Sequence, residues 1–198
     1  MRIRRSLWVF GAGGHGMVVA ETAMESGFKL SGFLDDDEGK WGSTVLGLPV
    51  SGGRSIVREG DRVILGVGGN NQRQEVGEWL EERGADLFTV RSRWAMVSGS
   101  TVVRDGVVMI GPVVVNACAE IGKGVILNTA STVDHECVIS DYVHIAPGVN
   151  LAGNVTVGQN SFIGIGAKVI PGITVGKDCV VGAGCVIVKD VEDGSRFV

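Results

Sequence analysis

No apolar run in this chain approaches the length of a membrane span, which argues against insertion into a bilayer. A secretory signal core is missing too. The start, Met1–Arg5, is basic, but Leu7–Phe10 is far too short for such a core and runs into glycine. The chain therefore reads as cytoplasmic. Net charge is −4 with no basic stripe in either half, so a nucleic-acid partner is not expected. There are four cysteines and no C-x-x-C. Cys137, Cys179 and Cys185 fall at small inward positions of the repeat below, and Cys118 precedes one. They read as small buried thiols with no disulfide, metal or nucleophile role. Aromatic residues make up 6% of the 198 residues, while glycine supplies 32. Abundant glycine and valine with few rings suit a solenoid.

From Val97 every sixth residue is aliphatic, through Met109, Ile121, Val133, Ile145 and Val157 to Ile187, with no insertion. Neither a helix of period 3.6 nor an alternating strand gives a strict six. A hexapeptide period is the mark of a parallel β-helix. Four residues after each aliphatic comes an uncharged, non-aromatic partner such as Val107, Ser131, Cys137 or Ala167. One large and one small inward residue per side suit a narrow prism, stacked about 4.8 Å per coil. Three hexads make one triangular coil, so the repeat predicts a little over five coils. Small residues just after the aliphatic (Gly122, Ala152, Gly158, Gly164) are expected at corners with positive φ.

The first ninety residues differ. Leu7–Phe10 reads as a buried strand, then a helix to about Gly27, a strand over 30–34, a strand over 62–67, a helix over 72–83 and a strand over 87–90. Strands alternating with helices imply a parallel sheet. The division is 1–92 for a Rossmann-like domain and 93–198 for the β-helix. Gly11, Gly13 and Gly16 form G-x-G-x-x-G between strand and helix, with Asp35 and Asp36 about twenty residues on. Such a loop brings backbone amides and a helix N-terminus to a phosphate, and the acidic pair suits sugar hydroxyls. Ninety residues amount to half a dinucleotide fold, so a nucleotide diphosphate carrying a sugar suits the loop better than NAD does. His15, inside the loop, is a surface histidine or a donor to phosphate or substrate.

The segment Asn128–Cys137 is a polar interruption of the solenoid. It holds Asp134-His135-Glu136, and His144 follows nine residues after His135. Neither histidine occupies an inward position, so both are expected to project outward. Acyl transfer to an amine or hydroxyl needs a base, and an imidazole titrates in the right range. A carboxylate, Glu136 or Asp134, can orient the ring, which requires a corner there. A backbone N–H, such as that of Gly153, can meet the developing oxyanion. Nine residues are half a coil, which puts the two histidines on different faces. If both serve one site, the second comes from a neighbouring subunit, and a homotrimer with active sites between subunits is expected.

These residues, with Gly69-Asn70-Asn71 and Ala152-Gly153-Asn154-Val155, resemble the bacterial sugar N-acetyltransferases acting on UDP-4-amino-4,6-dideoxy sugars. Those are hexapeptide-repeat acyltransferases with an α/β Rossmann-like domain before a left-handed β-helix. The resemblance implies the hand of the helix and the following roles. His135 is the general base, with Glu136 raising its basicity. His144, Gly153, Ile165, Ala183 and Asn128 contact acetyl-CoA. Gly13, Gly14 and His15 hold the phosphates of a nucleotide sugar, Asp35 and Asp36 its uridine end, with Gly69 close by. No metal is implied. Arg91-Ser92-Arg93-Trp94 replaces the His-Pro-Ser-Ala of many relatives. The ending at Arg196-Phe197-Val198 is expected to weaken adenine binding. Sialic-acid O-acetyltransferases share the two-domain plan and supply the alternative acceptor. A β-helical carbonic anhydrase needs three zinc-bound histidines, and the repeat half has two. A non-enzymatic nucleotide-sensing trimer is the reading from another class.

Overall fold

The computed structural model describes residues 6–197, and the reading of Met1–Arg5 falls outside them. Strand β1 (Leu7–Phe10) leads through the glycine loop into helix α1 (Gly14–Glu25), then β2 (Gly32–Leu34). A hairpin of β3 (Thr44–Val45) and β4 (Leu48–Pro49) follows, then β5 (Arg62–Leu65), helix α2 (Asn70–Glu82) and β6 (Asp86–Leu87). The main sheet runs β2-β1-β5-β6, all parallel.

Alternate residues of each strand face opposite sides. Leu7, Val9 and Ile64 pack with Val19, Ala20 and Ala23 of α1. Phe10, Val63 and Leu65 pack with Val76 and Leu80 of α2. Both clusters also take in residues of the second half: Val90, Val108 and Ile126 on the α1 side, Tyr142 on the α2 side. The two halves thus share apolar cores.

The single strand expected over 87–90 is divided. Asp86–Leu87 completes the parallel sheet, while Val90–Arg91 pairs with Val108–Met109 and opens the solenoid. Between them Thr89 Oγ1 donates to Arg104 O at 3.1 Å, which pins the bend.

From Val90 to Ile187 the chain winds as two-residue strands at six-residue intervals, and a last strand, Arg196–Phe197, pairs with Val180–Val181 sixteen residues back. Together they stack into parallel sheets of seven, six and five strands, about six coils in all. Register is constant: Val108 pairs with Ile126, Ile126 with His144, His144 with Phe162 and Phe162 with Val180, eighteen residues each time. The aliphatic series points inward and is almost wholly buried from Met109 to Ile187. So is the small series, including Ser131, Cys137, Ser161 and Cys179. Cys185 is partly buried and Cys118 exposed. Each fully buried aliphatic side chain contributes about 1.5–3 kcal/mol, and the constant register lets every coil reuse the one above.

The solenoid exceeds the hexad count because its two ends depart from the repeat. Arg91 holds the aliphatic position of the first strand on an exposed edge, and Phe197, 39% exposed, closes the last one two residues ahead of the eighteen-residue register. A terminal coil has nothing stacked on its outer side and needs no apolar filler there.

The corners differ from expectation. Left-handed backbone falls three residues after the aliphatic, as at Gly124, Ala130, Glu136, Tyr142 and Asn154. Pro112 cannot take positive φ, and there the left-handed residue moves back to Gly111. The glycines just after the aliphatic serve close approach instead. A Cβ on Gly122 would lie 2.7 Å from the Asp141 backbone nitrogen of the next coil.

We call face one the sheet whose outward residues include Val108, Ile126, His144, Phe162 and Val180. Face two carries Thr132, Asn150 and Lys168, and face three carries Glu120, Val138 and Thr156.

Candidate functional site

Polar chemistry gathers at two places. The first is the corner between faces two and three. Glu136 takes φ 58°, a left-handed conformation that turns the chain and sets two successive side chains outward together. His135 Nδ1 lies 3.1 Å from Glu136 Oε2, with the two side chains 57% and 68% exposed. A ring N–H at Nδ1 donating to the carboxylate leaves the Nε2 lone pair free, the form a general base needs. Of the two carboxylates the sequence offered, Glu136 holds the ring and Asp134 holds the backbone. Asp134 Oδ1 accepts from His135 N at 2.8 Å and from Asn116 Nδ2 at 2.7 Å. Those two hydrogen bonds, from Asn116 first, hold the Asp134 carboxyl below its usual range.

One coil on, Gly153 lies under the ring. A Cβ there would come within 2.6 Å of His135 Cε1 and Nε2, so only glycine admits the imidazole in this place. The Gly153 carbonyl accepts from Gly172, while its N–H makes no hydrogen bond among the described residues.

The second place is the junction between the α/β domain and face one. His144 points out of the prism as expected, yet it is only 9% exposed, because the α/β domain covers that face. Its Nδ1 lies 3.3 Å from Gly68 O and its Nε2 3.2 Å from Asn128 Nδ2. Nδ1–H therefore donates to the carbonyl, and Nε2 accepts from the amide. Phe162 packs edge-on at 5.2 Å and the His15 ring sits 6.0 Å away. Burial, then the charge of Arg73, pushes His15 down to about 4. The same two causes, with His15 itself, push His144 down to about 3. Both rings are neutral at physiological pH.

The glycine loop adjoins this junction. Gly13 and Gly14 are exposed with open space where a side chain would be, and the first helical bond of α1 runs from Met17 N to Gly13 O. The N–H groups of Gly14, His15 and Gly16 therefore lie in the unpaired first turn, where an anion is favoured. His15 packs over Gly68 and keeps a buried, unpartnered Nε2. Gly69 caps α2 and has open space around it. An open cleft of about 520 Å³ lies beside it, bordered by Asn70, Phe162, Val180 and Arg196.

Asp35 and Asp36 already have partners. Asp35 accepts from Ala12 N and Lys40 Nζ, both at 2.8 Å. Burial opposes its ionisation, but these bonds and that from Asp37 N outweigh it and hold the carboxyl low. Asp36 accepts from Arg54 N at 2.9 Å and Arg54 Nε at 2.6 Å.

Ile165, 60% exposed, and Ala183 stack on the corner between faces one and two, away from the His135 corner. Within one chain, then, His144, Asn128, His15 and Gly69 come together, and His135, Glu136 and Gly153 come together. The two groups lie half a coil apart on different sides of the prism.

Arg73 escaped the sequence reading, and Asn70 entered it only within the Gly69-Asn70-Asn71 motif, with no role of its own. Arg73 sits in the apolar stripe Arg73, Val76, Gly77, Leu80 of α2, and a charge in a buried stripe was the available signal. Among the described residues no three of His, Cys, Asp and Glu gather into a metal-holding cluster.

Comparison with known proteins follows from this geometry. The family described as PglD N-terminal domain matches residues 6–80, and the bacterial transferase hexapeptide (six repeats) matches 154–189. The acetyltransferase domain of PglB from Neisseria gonorrhoeae FA1090, solved with acetyl coenzyme A, is 39% identical. That match covers 97% of this chain and 95% of that one, with a TM-score of 0.90. The chain belongs to the acetyl-CoA-dependent sugar N-acetyltransferases. A second member is perosamine N-acetyltransferase from Caulobacter crescentus, solved as a histidine-to-asparagine variant with CoA and GDP-perosamine. It is 34% identical, with 98% and 93% coverage and a TM-score of 0.91. GDP-perosamine N-acetyltransferase from Escherichia coli O157:H7 is 30% identical over 105 residues. The match spans about half of that relative's length, 48%. The solenoid is the left-handed β-helix of this family.

Proposed function

We propose that this chain transfers the acetyl group of acetyl-CoA to the amine of a nucleotide-linked amino sugar, with His135 as general base. The observation that carries this reading is the exposed His135–Glu136 pair seated over Gly153. Nε2 takes the proton as the amine attacks the thioester carbonyl, and Glu136 steadies the imidazolium that forms. Collapse of the tetrahedral intermediate breaks the C–S bond and releases CoA, whose thiolate takes the proton back from the imidazolium. The free N–H of Gly153 is suited to the oxyanion. The glycine loop and the α1 N-terminus hold the diphosphate, with His15 beside them against Gly68. Since Asp35 and Asp36 are engaged by Lys40 and Arg54, they shape the nucleoside end and keep only spare lone pairs for hydroxyls.

Acetyl-CoA lies along the solenoid corner of Ile165 and Ala183, with Asn128 and His144 at its upper end. The separation of the two groups on one chain favours a composite site. The junction of one subunit faces the His135 corner of the next in a homotrimer, giving three equivalent clefts. GDP-perosamine in the Caulobacter relative supports an amino-sugar acceptor, and the loop alone does not choose between uridine and guanosine. A cytoplasmic location belongs to the same proposal, while the solenoid's first strand, Val90–Arg91, begins just ahead of the boundary expected at residues 92 and 93.

The test is CoA thiol release from acetyl-CoA with UDP- and GDP-linked 4-amino sugars and with sialic acid as acceptors. Turnover is expected with an amino-sugar nucleotide. Turnover with sialic acid alone would replace this reading with O-acetylation, and binding of nucleotide without any turnover would favour a sensing trimer.

A further inference from the structure

Arg73 is the largest fully buried side chain among the described residues, and among them its guanidinium hydrogen-bonds no carboxylate. A buried charge without an ionic partner is expensive unless its hydrogens are all used. Here they are spent on both halves of the molecule. Toward the α/β domain, Nη1 donates to Gly68 O at 3.0 Å and Val67 O at 3.3 Å, and Nη2 to Asn70 Oδ1 at 3.0 Å. Toward the solenoid, Nε donates to Gly124 O at 2.8 Å and Nη2 to Tyr142 O at 2.7 Å. Asn70 continues the chain to the next coil, donating to Asn160 O at 2.7 Å and Ser161 O at 3.1 Å. Gly68 O is shared between Arg73 and His144 Nδ1.

We propose that Arg73 is a positioning residue: it locks the 67–69 turn, over which His15 packs, against the coil that carries His144, and so sets where the nucleotide sugar stands relative to the solenoid. This rests on the reading that the sugar nucleotide is held by the α/β domain and acetyl-CoA by the solenoid. Its charge has a second effect at the same place. The titratable groups facing it are His15 from the glycine loop and His144 and Tyr142 from the solenoid, with Glu78 and Glu81 of α2 and Asp141 acting on Tyr142. Burial keeps both imidazoles neutral, and the cation beside them adds to it, so that His144 retains its donor at Nδ1 and its acceptor at Nε2.

The test uses Arg73→Met, Arg73→Lys and Asn70→Ala in the full chain, with two-substrate kinetics and imidazole NMR titration. A displacement near 1 Å of one substrate against the other costs about 10²-fold in rate. Arg73→Met is expected to lower kcat by that order with both KM values near wild type. It is also expected to raise the pH at which His144 titrates. Arg73→Lys keeps the charge but cannot reach both halves, so the titration stays low while kcat stays reduced. Asn70→Ala leaves the guanidinium in place and serves if Arg73→Met does not fold. It should show the same kcat loss, smaller in size. A folded Arg73→Met with unchanged kcat, whatever its melting temperature, would overturn the proposal, as would a rise in KM alone or a His144 titration that does not move. If the wild type shows no turnover, the functional reading fails by itself. The titrations of wild type, Arg73→Met and Arg73→Lys still decide the role of Arg73.

Discussion

Gly153→Ala is the smallest perturbation that reaches the proposed base. The added methyl would lie 2.6 Å from both Cε1 and Nε2 of His135, against about 3.5–4.0 Å for relaxed carbon contacts. The ring must therefore retreat by about 1 Å. It is free to do so, because the side chain is 57% exposed. Gly153 is not among the left-handed residues, so alanine is allowed by the backbone. Gly153 itself is buried beneath the ring, so the methyl overpacks that spot and should cost about 1–3 kcal/mol, which leaves the protein folded. Activity should not be spared. The retreat stretches the 3.1 Å contact to Glu136 and fills the space where the attacking amine meets Nε2, and misplacement of this size costs about 10²-fold. The assay is thiol release at saturating acetyl-CoA, with Gly99→Ala as control, since a Cβ there meets nothing within 4 Å. Wild-type turnover in a folded Gly153→Ala would refute the placement of the base.

Glu136→Gln keeps the shape but removes the charge that stabilises the imidazolium. It should cost part of the about 10²–10⁴-fold that a general base supplies and shift the activity profile, read from kcat against pH. Leu127→Ala, at a fully buried coil position, should destabilise by about 2–5 kcal/mol, measured by denaturant unfolding. His15 and His144 are held neutral in the folded state down to about 4 and about 3, whereas in the unfolded chain an imidazole protonates near 6.5. The unfolded state therefore gains protons first as pH falls. Stability should decline from about pH 6.5, the His15 contribution ending at about 4 and the His144 contribution at about 3. Protonation of Asp35 and Asp134, both held low in the fold, adds to the loss at the acid end. In His144→Asn the decline should be shallower, and an unchanged slope would refute the burial of this ring.

Much of the fold was legible because the solenoid repeats one physical problem sixteen times. Each coil must place one large and one small apolar residue inward, so a strict period of six survives in the sequence. The ends were not legible, since Arg91 sits on an outer edge where no apolar filler is needed and Phe197 comes two residues ahead of the period. Corner φ was misassigned because glycine answers two demands, left-handed backbone and close approach, and composition does not separate them. The pairing of His135 with Glu136 was readable once a corner was expected there. Burial of His144 was not read, although its signal was present. On face one the outward positions Val108, Ile126, Phe162 and Val180 are all apolar around His144, whereas the other faces mix apolar Val114 and Val138 with Thr132, Asn150, Lys168, Glu120 and Thr156. An apolar outward column marks the face another domain covers. Arg73 was missed because a charged residue on a helix is usually solvated, and only its i, i+3, i+4 relation to Val76 and Gly77 marks it as buried.

The most direct measurement is the rate of CoA thiol release by His135→Ala with acetyl-CoA and the accepted amino-sugar nucleotide. The account predicts a loss of about 10²–10⁴-fold, with the melting temperature and oligomeric state of the wild type, because the side chain packs on little besides Gly153 and Glu136. An unchanged rate in that variant would contradict it.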